Sequence, residues 1–171
     1  IKNKNQILSS LDKRYKDNYN KKFISKFKNS NHFTLIGMGG SILGARAIYN
    51  FLNSKLKNFV FIDNLSHNFS KKKLLRKNTN IIISKSGNTL ETISNANLFI
   101  RKDHKNIFIT ENKKSYLMNL ASKLKSDVVH HNNFIGGRYS VFSEVGMLPA
   151  ELMGYDPMKF RKLKKKKKNK S

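Results

Sequence analysis

The chain has 171 residues, no cysteine, and 35 Lys and Arg against 10 Asp and Glu, for a net charge of +25. The lack of cysteine excludes disulfides, thiolate catalysis and thiolate metal sites, and no apolar run is long enough for a membrane-spanning helix. The length fits one domain with a sizeable core, and we expect a cytoplasmic protein.

A strongly basic balance is typical of proteins that bind nucleic acid or anionic membranes. However, only six of the 35 basic residues are Arg, the side chain that phosphate and base recognition favours. Lysine and asparagine are abundant along the whole chain, as an AT-rich genome produces without selection for binding. The sequence therefore predicts no specific nucleic-acid partner and no membrane partner, with non-specific attraction to nucleic acid at low salt as the alternative.

Residues 1–31 are polar and lysine-rich with apolar residues at helical spacing, which predicts an N-terminal helical segment. From residue 32 onwards the chain contains short apolar runs of the kind that form buried strands. The five predicted strands are Phe33–Ile36, Phe59–Asp63, Asn80–Ser84, Asn106–Thr110 and Asp127–His131. Residues 157–171 are predicted to form a basic, disordered tail.

Apolar residues at helical spacing lie between these strands. The predicted stripes are Leu43, Ala47, Ile48, Phe51 and Leu52 after the first strand, Leu90, Ile93, Ala96 and Ile100 after the third, and Leu117, Leu120, Ala121 and Leu124 after the fourth. A short helix around Leu74 is predicted within Asn64–Lys77. Ser115 is a predicted N-cap, and Asn88 with Glu91 has the spacing of a capping box.

Strands that alternate with helices predict an α/β fold for residues 32–156: a five-stranded parallel sheet with helices on both faces, as in a flavodoxin-like α/β/α sandwich. The expected strand order is 2-1-3-4-5. This order places a ligand crevice at the carboxyl ends of the first and third strands, between Ser41 and Ser84.

Two predicted strand-to-helix turns at this crevice carry small polar residues. In "IGMGGSILG", Gly37, Gly39 and Gly40 let the backbone approach a ligand, and Ser41 follows at a helix N-terminus, where an anion or a sugar hydroxyl would bind. The third glycine of a dinucleotide-binding fingerprint is absent, because Ile42 stands there. A tight turn without a ligand is the alternative.

The second turn, "SKSGNTLET", places Ser84, Ser86 and Thr89 around a predicted helix N-terminus, with Lys85 beside them. Hydroxyls, backbone N–H groups and one ammonium match the needs of a phosphate dianion. The spacing does not fit a Walker A loop, and a hydroxyl-rich helix cap is the alternative.

A third glycine turn, "GGRYSVFSEVG", contains Arg138. An arginine in such a turn is a candidate for binding a ligand, and a structural pair with a carboxylate is the alternative. The histidines have no metal-ligand spacing with carboxylates, so no metal is predicted; they are His32, His67, His104, His130 and His131.

Together and in this order, the three motifs resemble those of glucose-6-phosphate isomerases, specifically their first sugar-isomerase (SIS) domain. The resemblance covers about Phe33 to Tyr155. It implies interconversion of glucose 6-phosphate and fructose 6-phosphate without a cofactor, by a cytoplasmic homodimer in glycolysis and gluconeogenesis.

By position, the resemblance implies that six residues bind the phosphosugar: Gly40, Ser41, Ser84, Lys85, Ser86 and Thr89. It also implies that Arg138 is catalytic and stabilises the enediolate between aldose and ketose. The family's general-base glutamate lies further downstream than Ser171. The resemblance therefore implies a first SIS half that binds the phosphosugar and lacks the catalytic base.

Two alternatives stay open. A similar "SxSGNTxET" pattern occurs in phosphoglucose/phosphomannose isomerases, so the chain could be a fragment of such an enzyme. A free-standing SIS module that binds a phosphosugar without chemistry is the other.

Overall fold

The computed structural model describes residues 6–52, 57–65 and 78–162. Within these residues, five strands form one parallel sheet in the order β2-β1-β3-β4-β5, which confirms the predicted fold class and strand order. The strands are β1 (His32–Gly37), β2 (Asn58–Ile62), β3 (Thr79–Ile83), β4 (Lys105–Thr110) and β5 (Asp127–His130). Continuous apolar runs identify such strands well because both of their faces are buried.

Helices cover both faces of the sheet. They are α1 (Lys21–Ser25), α2 (Gly40–Leu52), α3 (Leu90–Phe99), α4 (Tyr116–Lys123), α5 (Glu144–Leu152) and α6 (Pro157–Lys162), with 3₁₀ helices at Gln6–Leu11 and Gly137–Phe142. None of the described helices has both the length and the apolar character that a bilayer crossing requires.

Alternate residues of each strand contribute to two separate cores, as the pleat of a strand requires. Ile81 and Ile83 pack in the core that α2 and α5 cover. Ile82 packs in the core that α3 and α4 cover. All three side chains are fully buried, so β3 lies at the centre of the molecule.

The predicted apolar stripe of α2 is only partly correct, because Ile48 packs against the core that α2 and α5 cover while other members of the stripe face solvent. Leu43 and Phe51 are 55% and 88% exposed, whereas Ile42 and Ala45 are buried against the sheet. Both sets of residues have helical spacing, and spacing alone does not decide which set faces the core. The stripes of α3 and α4 are closer to the prediction, because Ala96, Leu117 and Ala121 are buried; Leu90, however, is 74% exposed.

The N-terminal segment contains two short helices, the first 3₁₀ helix and α1, and Phe27 after them is buried in the α2/α5 core. Near the other end, α6 lies within residues predicted to belong to the tail, yet its Arg161 is only 3% exposed. The structure therefore differs from the sequence prediction at residues 157–162. The predicted helix around Leu74 lies outside the described residues.

Candidate functional site

The candidate site lies where β1 and β3 end. The two strands are neighbours, and Gly37 at the end of β1 pairs with Ile83 at the end of β3. The chain leaves β1 towards β2 on one side of the sheet and reaches β3 on the other, which creates the switch point at which open α/β sheets bind ligands. Ser41 and Ser84 therefore both lie at the carboxyl ends of the strands, on the same side of the sheet's strand ends, as predicted.

Ser41 is held close to the end of β3. A Cβ atom added to Gly37 would lie 3.1 Å from the Ile83 carbonyl oxygen and 3.3 Å from Cβ of Ser41. Gly39 has a φ of +54°, which favours glycine. The first glycine turn thus brings the start of α2 directly against the sheet edge.

Three hydroxyls form a cluster after β3. Oγ of Ser84 lies 2.9 Å from Oγ1 of Thr89 and 3.5 Å from Oγ of Ser86. Ser84 is 2% exposed, whereas Ser86 is exposed and Thr89 is half-buried. Ser84 therefore positions the other two hydroxyls, which are open to a ligand.

The cluster marks the start of α3, but not through the predicted capping box, which is wrong. Thr89 is the N-cap and makes no side-chain cap hydrogen bond, because its hydroxyl is paired with Ser84. Oδ1 of Asn88 accepts a hydrogen bond from the backbone N of Tyr116 at 2.9 Å instead. The first turn of α3 is left without a side-chain cap, and such amides are suited to bind an anion.

Gly87 fixes the shape of this loop. Its φ is +68°, and an added Cβ would lie 2.2 Å from Oγ of Ser115 and 2.9 Å from Oγ1 of Thr110. Ser115 is at the same time the N-cap of α4, as predicted, and accepts from the backbone N of Met118. The hydroxyl loop is therefore packed directly on the loop before α4.

Lys85 lies in the turn that the hydrogen bond from the Gly87 N–H to the Ser84 carbonyl oxygen closes, and its side chain bonds away from the hydroxyl cluster. Its Nζ donates to the Asn133 carbonyl oxygen at 2.8 Å and lies 3.5 Å from Oε1 of Glu111. Burial acts to raise the pKa of Glu111, but Lys113 and Lys85 outweigh this effect and lower it below its ordinary value. Lys85 thus ties the hydroxyl loop to the segment after β5.

Arg138 lies in the 3₁₀ helix Gly137–Phe142, in the turn that touches the first glycine turn. A Cβ added to Gly40 would lie 2.2 Å from the Gly137 carbonyl oxygen and 2.9 Å from the Arg138 backbone N. Ser140 stabilises the contact by donating to the Gly137 carbonyl oxygen at 2.7 Å. The Arg138 side chain is exposed and has no carboxylate partner among the residues that the structure describes.

Glu144 is a member of this region that the sequence does not identify. It is fully buried; its Oε2 accepts from the Tyr15 hydroxyl at 2.8 Å and its Oε1 from the Asn132 backbone N at 2.6 Å. Burial and the charge of Glu144 raise the pKa of Tyr15. Glu144 therefore fixes the Asn132–Asn133 segment to which Lys85 bonds. No sequence signal points to this role, because Tyr15 is 129 residues away in the chain.

A family model described as phosphoglucose isomerase matches residues 20–166. A curated relative, glucose-6-phosphate isomerase of Methanocaldococcus jannaschii, is 37% identical over 147 residues, which cover 78% of this chain and 36% of the relative. The chain belongs to the phosphoglucose isomerase family. It spans about a third of the length of the curated relatives of that family that it matches.

Solved structures agree with this family assignment at the level of the fold. A hypothetical protein from Thermus thermophilus has a TM-score of 0.69 and 26% identity, with 80% of this chain and 37% of that chain covered. Tagatose-6-phosphate ketose/aldose isomerase from Escherichia coli has a TM-score of 0.55 and 17% identity, with 82% and 42% covered. The second likeness concerns the fold alone.

Proposed function

We propose that the chain forms the phosphosugar-binding part of a glucose-6-phosphate isomerase. The observation that carries the proposal is the Ser84–Thr89 hydroxyl pair, which leaves the first turn of α3 without a side-chain cap. A phosphate bound there would meet the hydroxyls of Ser86 and Thr89, the backbone amides of α3 and the positive end of its dipole.

Further residues have distinct roles in this proposal. Gly40 and Ser41 bring the start of α2 against the bound sugar. Lys85 contributes positive charge beside the loop, and direct contact with the phosphate would require it to leave Asn133 and Glu111. Arg138 meets the negative charge that develops on the enediolate, the kind of interaction that favours the transition state over the substrate.

Isomerisation also needs a general base that moves a proton between C1 and C2 of the sugar. The two buried glutamates near the site are engaged: Glu111 with Lys85 and Lys113, and Glu144 with Tyr15 and Asn132. We therefore expect the 171-residue chain to bind glucose 6-phosphate and fructose 6-phosphate without interconverting them.

Calorimetric titration with glucose 6-phosphate tests the binding. Ser86→Ala combined with Thr89→Val removes two hydroxyl donors to a charged ligand, each worth about 1.5–3 kcal/mol, so affinity should fall at least tenfold. Ser122→Ala, at an exposed position of α4, is the matched control and should bind as the parent chain does. Unchanged affinity in the double variant would place the site elsewhere.

A coupled isomerase assay on the same chain tests the chemistry. We expect no turnover, because a positioned base is typically worth about 10²- to 10⁴-fold in rate. Turnover that Glu91→Gln or Glu144→Gln abolishes would contradict the proposal, and would identify the base within this chain.

Assembly and location extend the same proposal. A cofactor-independent homodimer in the cytoplasm is the state that the resemblance implies. Light scattering of the full-length enzyme after size-exclusion chromatography should then give twice the mass of its monomer, and a monomer at micromolar concentration would contradict this part.

A further inference from the structure

A cavity of about 320 Å³ lies at the amino ends of the strands, opposite to the candidate site at their carboxyl ends. It is formed where β4 and β5 begin, and we call it the amino-end cavity. Its charged lining consists of Lys26, Arg101, Lys102, Lys105, Lys125 and Asp127. Five cations and one carboxylate face a single cavity, which makes it a strong electrostatic attractor for anions.

Part of this positive charge is already compensated. Lys26 pairs with Asp127, and Nζ of Lys105 donates to the Lys26 carbonyl oxygen at 3.0 Å. The side chains of Arg101, Lys102 and Lys125 have neither a carboxylate nor a hydrogen-bond acceptor as partner among the residues that the structure describes. Three cations of the lining are therefore available to a ligand.

The backbone conformation of Lys125 is a second unusual feature of the cavity. It follows the C-terminus of α4 with a φ of +48°, the one non-glycine residue with positive φ in the described part of the chain. Glycine usually occupies such a position because a Cβ is strained there. A lysine next to a helix C-terminus balances the helix dipole, but a residue one turn earlier would do so without strain.

The inner lining of the cavity is polar as well. His104 and Asn106 line it and are 7% and 8% exposed. Nδ2 of Asn80 lies 3.3 Å from Nδ1 of His104 and 2.8 Å from Oδ1 of Asn106. Nε2 of His104 is buried without a partner among the described residues. Nε2 has almost no accessible surface, so it is closed off from the cavity, and the His104 ring forms part of the inner wall.

We propose that the amino-end cavity binds a small compound carrying a phosphate or diphosphate group, at a site separate from the one on α3. Ammonium and guanidinium groups are the side chains that recognise phosphate oxygens. The volume of the cavity corresponds to about ten water molecules at about 30 Å³ each. A phosphorylated metabolite fits into this volume. Neither the family comparison nor the proposed isomerase function predicts a ligand at this edge of the sheet.

Titration of the whole chain with inorganic pyrophosphate tests the proposal. Binding is measured by calorimetry and by NMR of the histidine rings. The titration is made in the Ser86→Ala/Thr89→Val background, so that the candidate site on α3 does not contribute. We expect saturable binding at about 0.15 M salt, with shifts of the His104 ring signals and none at His131. This result does not depend on whether the isomerase proposal holds.

Two variants locate the ligand. Arg101→Gln combined with Lys125→Gln should weaken pyrophosphate binding at least about tenfold, because two charge-assisted contacts are lost. Lys125→Gly removes one of these contacts while relieving the strained backbone, so it should weaken binding without loss of thermal stability. Lys159→Gln combined with Lys162→Gln removes the same charge from exposed positions of α6 and should change the affinity less than twofold.

Three results of the pyrophosphate titration would overturn the proposal. They are equal weakening in the α6 control, which would indicate general charge attraction, saturation without a change at His104, and no binding at all. A fourth comes from a competing ligand. If a single-stranded oligonucleotide binds at least as tightly as pyrophosphate and is equally sensitive to the cavity variants, the surface serves nucleic acid and the small-ligand proposal is wrong.

Discussion

The surroundings of Arg161 and Arg138 differ in a way that separates a structural arginine from one proposed to bind a ligand. Arg161 is 3% exposed, pairs with both carboxylate oxygens of Asp17 at 2.8 and 2.9 Å, and donates to the carbonyl oxygens of Ser10 and Phe142. Arg138 lies on a well-packed turn with its side chain exposed. One guanidinium is fully satisfied within the chain, and the other has no carboxylate partner among the residues that the structure describes.

Replacement of each arginine by alanine should separate the two roles most strongly. Arg161→Ala leaves a buried carboxylate and two carbonyl oxygens without partners, so the free energy of unfolding should fall by about 3–5 kcal/mol. Arg138→Ala should change it by less than about 0.5 kcal/mol. Urea denaturation of both variants measures the difference.

The double variant Arg161→Ala/Asp17→Ala is the control for that experiment. It should be less destabilised than the sum of the two single variants, because the unpaired charge is removed as well. Strictly additive losses, or a large loss in Arg138→Ala, would contradict the distinction between the two arginines.

Ligand affinity should show the reverse order, with a smaller effect. Arg138→Ala should weaken binding of a phosphorylated hydroxamate that mimics the enediolate by about tenfold, or about 1.4 kcal/mol. The change for glucose 6-phosphate should be smaller, since the charge that Arg138 meets is absent from the substrate. Equal losses for both ligands in calorimetry would assign Arg138 to substrate binding instead.

The smallest effect on stability is expected at Glu111, whose carboxylate pairs with Lys85 and Lys113 beside the site. Since the pKa of Glu111 lies below its ordinary value of 4.5, its contribution is present above that pH. The contribution is lost as the pH falls through the lower pKa of the folded state. Glu111→Gln should therefore reduce the loss of stability between about pH 5 and pH 3, by less than about 1 kcal/mol.

The pH series is measured by thermal unfolding with and without about 1 M salt. Because Lys85 and Lys113 are partly exposed, salt should reduce the difference between parent and variant. A variant that loses stability with acid as steeply as the parent would show that this ion pair contributes nothing.

The sheet could be predicted because its signals are local. Each predicted strand starts and ends within one residue of the observed one, since runs such as Ile81–Ile83 require burial on both faces. The orientation of α2 could not be predicted, because Ile42 and Leu43 both belong to apolar stripes at helical spacing. Contacts with α5 and with the sheet decide between them, and these are not visible in a local pattern.

The candidate site shows the same limit. The positions of Ser41, Ser84 and Arg138 at strand ends and turns follow from motifs and strand order. The partners of Lys85, Asn88 and Arg161 do not, because they lie 48, 28 and 144 residues away. A local rule assigns Asn88 to its own helix and Arg161 to a solvated tail.

The contact between the two glycine turns has a consequence for the order of folding. Ser140, which supports the Gly137 turn, reaches the Gly40 carbonyl across 100 residues of sequence. Closing so large a loop is entropically costly, and non-local contacts slow folding. A nascent chain can pair β1 with β3 long before Gly137 has been synthesised. The two glycine turns of the candidate site therefore meet after the sheet has begun to form, and a ligand that contacts both turns would bind after this step and slow its reversal.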